Sequence, residues 1–432
     1  MELKEIRPIQ NINNPVQTVF VPGSKSITNR ALLLAVMGQG KSSLNGCLFS
    51  DDSRYFLRCV QDLGFETCVD EQKKRVEVTG LGGRVPVKQA SIYVGSAGTA
   101  ARFLAAFLAC QEGEFFLDAS EQMRRRPMEP LLHALKSIGA EIDCTKEAGH
   151  FPMRITGHGI LTDHVTIDID ESSQFLSALL IAAPLSGGEL TIDVKGSHGM
   201  AYIDMTVRMM EQFGVSVLRP QEKRFVIPGG QQYHAMAYRV EPDASAACYF
   251  WALAAIHGMT VTVPHLHVSS LQGDVTFAHL LKRMGCEVTD TPQGIAVTGP
   301  KDGRLKGVNA DMHSFSDQAI TLAAIAPFAD GPVEITGIGH IRHQESDRIA
   351  AIVENLTAMG IEAYETADGV CIRPGEPQAA VIETHEDHRL AMGFSLTGTR
   401  VPGIVIRDPD CCRKTFEEYF TVLDALTAAV EG

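Results

Sequence analysis

The residues able to do chemistry stand where helices should begin. Lys25 lies between Ser24 and Ser26, with Arg30 one turn on; Arg102 follows the cluster Ser96 to Thr99; Arg124, Arg125 and Arg126 lead into Pro127. Further along come Ser172-Ser173-Gln174, Asp243 to Ser245, Ser316-Asp317, Arg348 within ESDRI, Asp387-His388-Arg389 and Arg413-Lys414. Ser, Thr and Asp at such places can be caps, because their oxygens accept from the orphan N–H groups of a first turn. The added Lys and Arg point further. A helix start already offers donors and partial positive charge to an anion, and a guanidinium grips two oxygens of a carboxylate or phosphate at once. The chemistry suggested is recognition of small carboxylated or phosphorylated molecules.

Other motifs fall short. GSKS at Gly23 to Ser26 lacks the glycine and lysine order of a P-loop, and GLGG at Gly80 to Gly83 lacks the third glycine of a dinucleotide fingerprint. His385, Asp387 and His388 have no third and fourth ligand at a known spacing, so no metal is expected. Neither a GxSxG elbow nor a papain-like cysteine context is present, which argues against an acyl-enzyme hydrolase.

These positions recur because the chain repeats. A polar helix start, an apolar helix, a glycine, a strand and a second helix ending in glycine form one unit of about 72 residues, present six times in 432. The first glycine falls at Gly40, Gly113, Gly188, Gly258, Gly331 and Gly403; the second at Gly64, Gly139, Gly214, Gly285 and Gly360. First helices such as SSQFLSALLIAAP and SAACYFWALAAI are apolar nearly all round and must be buried, whereas SRYFLRCVQDLG and FAHLLKRMG keep a solvated face. EFFLDAS, ELTIDV, TVTVPHL and VEITGIG read as strands. The expected fold is α/β, with sheets wrapped around buried helices. Pro-bearing strands, VFVPGS and YRVEPDAS, precede the first unit of each half. Crossings between halves are therefore expected near Val21 to Ser24 and Val240 to Asp243, giving a discontinuous domain 1–22 plus 242–432, a domain 23–241, and an active site in the cleft between them.

Bulk properties narrow the function. With 45% hydrophobic and 21% charged residues the composition is that of a globular protein, and no apolar run approaches the ~18 residues of a membrane span. A net charge of -14 disfavours nucleic acid. The ten cysteines include no CxxC pair and read as reduced; with no secretory signal at MELKEIRPIQ, a cytoplasmic monomer is expected.

The segments PGSKSITNRALLLA, GSAGTAARFLAA, RRRPMEPLLHAL, ESSQFLSALL, SDQAITLAA, QESDRI, EDHRLAMGFSL and RKTFEEYF resemble, in order, the signatures of the 5-enolpyruvylshikimate-3-phosphate synthases, from about residue 20 to 420. The resemblance implies a two-domain inside-out α/β barrel of six βαβαββ-type repeats, three per domain. It implies transfer of the enolpyruvyl group of phosphoenolpyruvate to the 5-hydroxyl of shikimate 3-phosphate, with release of phosphate and no cofactor, on the route to chorismate and the aromatic amino acids. By the same resemblance Lys25, Gly98, Arg126, Gln174, Arg348, Arg389 and Lys414 surround phosphoenolpyruvate. Lys25, Ser26, Arg30, Ser172, Ser173, Gln174, Tyr202, Asp317 and Gln344 are expected around shikimate 3-phosphate. Asp317 and Glu345 match the two proton-transferring carboxylates, with Lys25 as their cationic partner; which carboxylate handles which proton stays open. The inhibitor glyphosate is expected to take the phosphoenolpyruvate pocket, and the retained Gly98 predicts sensitivity.

Three departures from the family pattern stand out. Ser96 and Phe103 replace an Asn and a Pro, and Gln344 replaces a Lys. The segment KGSHGMAYID is longer than usual, which makes Ser197 and Lys195 additional phosphate candidates. The competing readings are a UDP-N-acetylglucosamine enolpyruvyl transferase, opposed by SKSITNR and RRRPM, and a non-catalytic metabolite-binding relative.

Overall fold

The computed structural model describes residues 2–197 and 199–432. The helices Asp51–Asp62, Glu129–Ser137, Met200–Gln212, Thr276–Arg283 and Arg348–Ala358 all end in one way. The glycine two residues beyond each, Gly64, Gly139, Gly214, Gly285 and Gly360, has φ between +77° and +114°. The Gly64 N–H returns to the Gln61 carbonyl at 2.8 Å and the Phe65 N–H to that of Val60 at 3.2 Å. Equivalent paired bonds follow the other four helices. This is the Schellman closure, which needs a left-handed residue and so selects glycine.

Among the described residues the strands form six small sheets, five of four strands and one of three. Gln89–Tyr93 runs parallel to Glu112–Asp118, which pairs antiparallel with Met153–His158, and that in turn with Glu141–Cys144. Along the chain this is βαβαββ, and the pattern recurs. The first and fourth sheets exchange one strand. Val16–Thr18, which leads toward the first long helix, pairs in parallel with Thr260–Pro264 of the fourth sheet. Ala237–Arg239, which leads toward the fourth, pairs in parallel with Gln39–Asn45 of the first. Leu3–Glu5 fills the antiparallel place beside Ile404–Arg407 in the sixth sheet. The chain accordingly forms two compact units, Met1–Pro22 with Glu241–Gly432, and Gly23–Val240.

In Gly23–Val240 the cores are the helices Lys25–Met37, Gly98–Ala109 and Gln174–Ala182; in the other unit they are Ala244–His257, Ala319–Ile325 and His388–Gly398. Every residue of Gly98–Ala109 and His388–Gly398 is buried, as all-round apolar helices require. Small residues let them approach closely: a Cβ on Gly393 would come within 2.8 Å of Ile320 Cγ2. Strands such as Arg75–Leu81 alternate buried and more open positions and keep one face toward solvent.

Candidate active site

Among the described residues, none of the six core helices carries an acidic residue in its first turn, so only the capping carboxylates of two of them offset the positive end of the helix dipole. Capping is real at three of them: Ser24 accepts from Ile27 N, Asp243 from Ala246 N and Asp387 from Arg389 N. Lys25 opens the first helix, where the dipole disfavours a cation. It is half-buried and lies 3.5 Å from the buried Asp52 carboxylate, whose helix starts at Asp51.

Arg30 is buried and works first as a strut. Its Nε donates to Thr206 Oγ1 at 2.8 Å, Nη1 to the Ser26 carbonyl at 3.1 Å, and Nη2 to Ser177 Oγ and the Tyr202 carbonyl at 3.2 and 3.3 Å. Those bonds tie together the helices that carry Ser26, Gln174 and Tyr202. Burial lowers its pKa to about 10. Phe103, one of the departures from the family pattern, lies with its ring 5.3 Å from this guanidinium and thus supports it. Arg102, equally buried, donates to the carbonyls of Gly98 and Pro127 at 3.2 and 3.1 Å, joining its helix to the Arg124–Arg126 turn. At Gly98 a Cβ would lie 2.7 Å from Arg102 Nη1 and 2.8 Å from Arg126 Nη1; the bare glycine is what lets both guanidiniums converge there.

Ser172 Oγ accepts from Gln174 N at 3.3 Å, and Ser173 is the buried residue ahead of the helix. Gly199, at φ +66°, begins the Tyr202 helix and passes so close that a Cβ would meet Ser173 Oγ at 2.6 Å. Gln174 keeps a buried Oε1 with no hydrogen-bond partner among the described residues. Lys195 lines a cavity of about 390 Å³ that also holds Glu129, Asp168 and Glu171.

In the other unit the side chains form one ionic lattice. Arg348, buried at the start of its helix, donates through Nε to Asp387 Oδ2 at 2.8 Å, through Nη1 to Asp317 Oδ1 at 3.1 Å and through Nη2 to Glu345 Oε2 at 3.0 Å. Gln344 Oε1 accepts from the same Nη1, so the amide that replaces the family's lysine is turned onto Arg348. Arg389 Nη2 donates to Asp317 Oδ2 at 2.7 Å, and Lys414 Nζ lies 3.2 Å from Glu345 Oε1. Burial works against the Arg348 charge, but Asp387, Glu345 and Asp317 outweigh it and raise its pKa above the ordinary arginine value. Glu345 is therefore no loose surface charge, nor is Asp317 merely a cap: each carboxylate is ion-paired with two cations.

Asp52, Thr206, Ser177 and Asp274 carried no chemical signal in the sequence. Asp274 is buried and accepts from Gln318 Nε2 at 3.1 Å. Burial first, and the Asp317 charge second, raise its pKa to about 6 against the pull of Arg389.

The family model of EPSP synthase (3-phosphoshikimate 1-carboxyvinyltransferase) matches residues 8–423. The chain belongs to the EPSP synthase family. The 3-phosphoshikimate 1-carboxyvinyltransferase of Trichormus variabilis is 45% identical over 415 residues, covering 96% of this chain and 97% of the relative. The EPSP synthase structure from Acinetobacter baumannii superposes with a TM-score of 0.82 at 26% identity, over 98% of each chain. The enolpyruvyl transferase NikO from Streptomyces tendae shares the fold, with a TM-score of 0.75 at 18% identity over 98% of this chain and 97% of its own. Membership of the EPSP synthase family rests on sequence. Among the described residues no helix is long and apolar enough to cross a membrane, and no group of three His, Cys, Asp or Glu is placed to hold a metal ion.

Proposed function

We propose that this chain is a 3-phosphoshikimate 1-carboxyvinyltransferase. It joins the 5-hydroxyl oxygen of shikimate 3-phosphate to C2 of phosphoenolpyruvate and releases inorganic phosphate. The observation that carries the reading is the lattice in which Arg348, Arg389 and Lys414 hold Asp317 and Glu345, with Asp387 as the third carboxylate on Arg348. Both substrates are anions, and bringing them together demands cations fixed in advance.

In the addition step the hydroxyl gives up its proton as its oxygen bonds to C2, while the methylene C3 takes a proton and becomes a methyl group. In the elimination step a methyl proton leaves, the C2–O bond to phosphate breaks, and the enol ether double bond forms. Asp317 and Glu345 carry these proton transfers between them. Lys25, beside Asp52 and at a helix start, steadies the phosphate that leaves. Phosphoenolpyruvate is held by Lys25, Gly98, Arg126, Gln174, Arg348, Arg389 and Lys414. Shikimate 3-phosphate takes Ser26, Ser172, Ser173, Gln174, Tyr202 and Ser197, with Arg30 fixing the helices that present them and Gln344 positioning Arg348.

A coupled assay of phosphate release tests this. Turnover should require both substrates and fall at least ~10²-fold in Lys25→Ala and Asp317→Ala. Absence of turnover in the wild type, or undiminished turnover in both variants, would overturn it.

A further inference from the structure

Asp274 is a buried carboxylate that the steps above do not use. It lies in the turn Gly273–Val275, which packs against the segment His313–Gln318 that carries Asp317. Gln318, the next residue after Asp317, gives its Nε2–H to Asp274 Oδ1 at 3.1 Å, while its Oε1 accepts from Thr321 Oγ1 at 3.1 Å. The amide is thereby pinned from both ends and clamps the Asp317 backbone to Asp274. Arg389 completes the arrangement: it donates to Asp317 Oδ2 at 2.7 Å and to Ser245 Oγ at 3.5 Å, and its charge acts on Asp274. Asp243, the cap of the helix Ala244–His257, also faces Asp274, and Cys248 of that helix gives its S–H to the Asp274 carbonyl at 3.5 Å.

We infer that Asp274 is a positioning residue for the proposed reaction: it fixes Asp317 through Gln318, and its negative charge keeps the proton affinity of Asp317 high enough for proton transfer. The inference rests on the reading of Asp317 as a proton-transferring carboxylate. Like charges in a low-dielectric setting raise one another's proton affinity, whereas Arg348 and Arg389, both paired with Asp317, would depress that of Asp317. A single negative charge that is hydrogen-bonded but lacks its own counter-ion is unfavourable to bury.

The test compares wild type with Asp274→Asn and Asp317→Asn in kcat and kcat/KM profiles against pH, together with thermal unfolding at pH 7. Asp274→Asn keeps an oxygen to accept from Gln318 and removes the charge. It should lower kcat about tenfold. The profile limb absent from Asp317→Asn should move to lower pH, and the unfolding midpoint should rise. A drop in activity with an unmoved profile and a lower midpoint would reduce Asp274 to a structural residue and overturn the inference, as would wild-type kinetics in Asp274→Asn. Asp317→Asn separates the two claims: if it retains full turnover, the role of Asp317 fails, and the inference fails with it whatever Asp274→Asn does. If Asp317→Asn is inactive while the Asp274→Asn profile stays put, only the inference fails.

Discussion

Arg348 and Asp387 meet at 2.8 Å with both side chains essentially out of solvent, and Asp387 also caps the helix that carries Arg389. One carboxylate thereby sets the position of two cations. Asp387→Ala should destabilise the fold by about 3–5 kcal/mol, as removing one partner of a buried pair does. Asp387→Asn keeps an acceptor for the cap and should cost less, while still raising KM for phosphoenolpyruvate. Urea unfolding read beside steady-state kinetics checks both.

Gly98 gives a sharper test of geometry. In Gly98→Ala the new methyl would displace the guanidinium ends of Arg126 and of the buried, hydrogen-bonded Arg102, so stability should fall by about 1–3 kcal/mol. Affinity for phosphoenolpyruvate should fall by about tenfold, or ~1.4 kcal/mol. Glyphosate should compete with phosphoenolpyruvate in the wild type and lose potency in the variant; inhibition assays at several phosphoenolpyruvate concentrations measure both.

His257 predicts how stability responds to acid. Burial first, and Arg400 second, lower its pKa to about 4. Thr399 Oγ1 donates to the Leu396 carbonyl at 2.6 Å and so accepts from His257 Nε2–H at 2.8 Å, which fixes the neutral tautomer. Unfolded, the ring titrates near 6.5 and binds the proton that the folded state refuses. Stability contributed by neutral His257 is thus present above pH 6.5 and declines toward pH 4, by up to about 3 kcal/mol. His257→Gln should flatten that slope in urea titrations at pH 4 to 7. Asp274 has the opposite sign: raised to about 6, it favours the folded state below pH 4, and that advantage is lost as pH rises through 6.

At Gly360 the φ is +77° and a Cβ would touch nothing closer than 3.8 Å. Gly360→Ala therefore isolates backbone strain and should cost about 1–2 kcal/mol in denaturant unfolding, with kcat and KM unchanged.

The sixfold period, the helix-ending glycines and the all-round apolar helices were legible in the sequence because each is a local requirement. A left-handed closure selects glycine, and a helix without a polar face must be buried. The basic residues at helix starts were legible too, since chemistry there departs from what capping alone needs. Residue order could not reveal that Val16–Thr18 and Ala237–Arg239 exchange sheets, because a short strand's partner is chosen by packing among many similar edges. Nor could it reveal that Arg348 serves Asp317, Glu345 and Asp387 together, or that Asp274 bonds to Gln318, the residue after Asp317. Residues 31, 39 and 43 positions apart in sequence become ionic neighbours only once the helices have packed, and burial then decides which charges are held and which protons are kept.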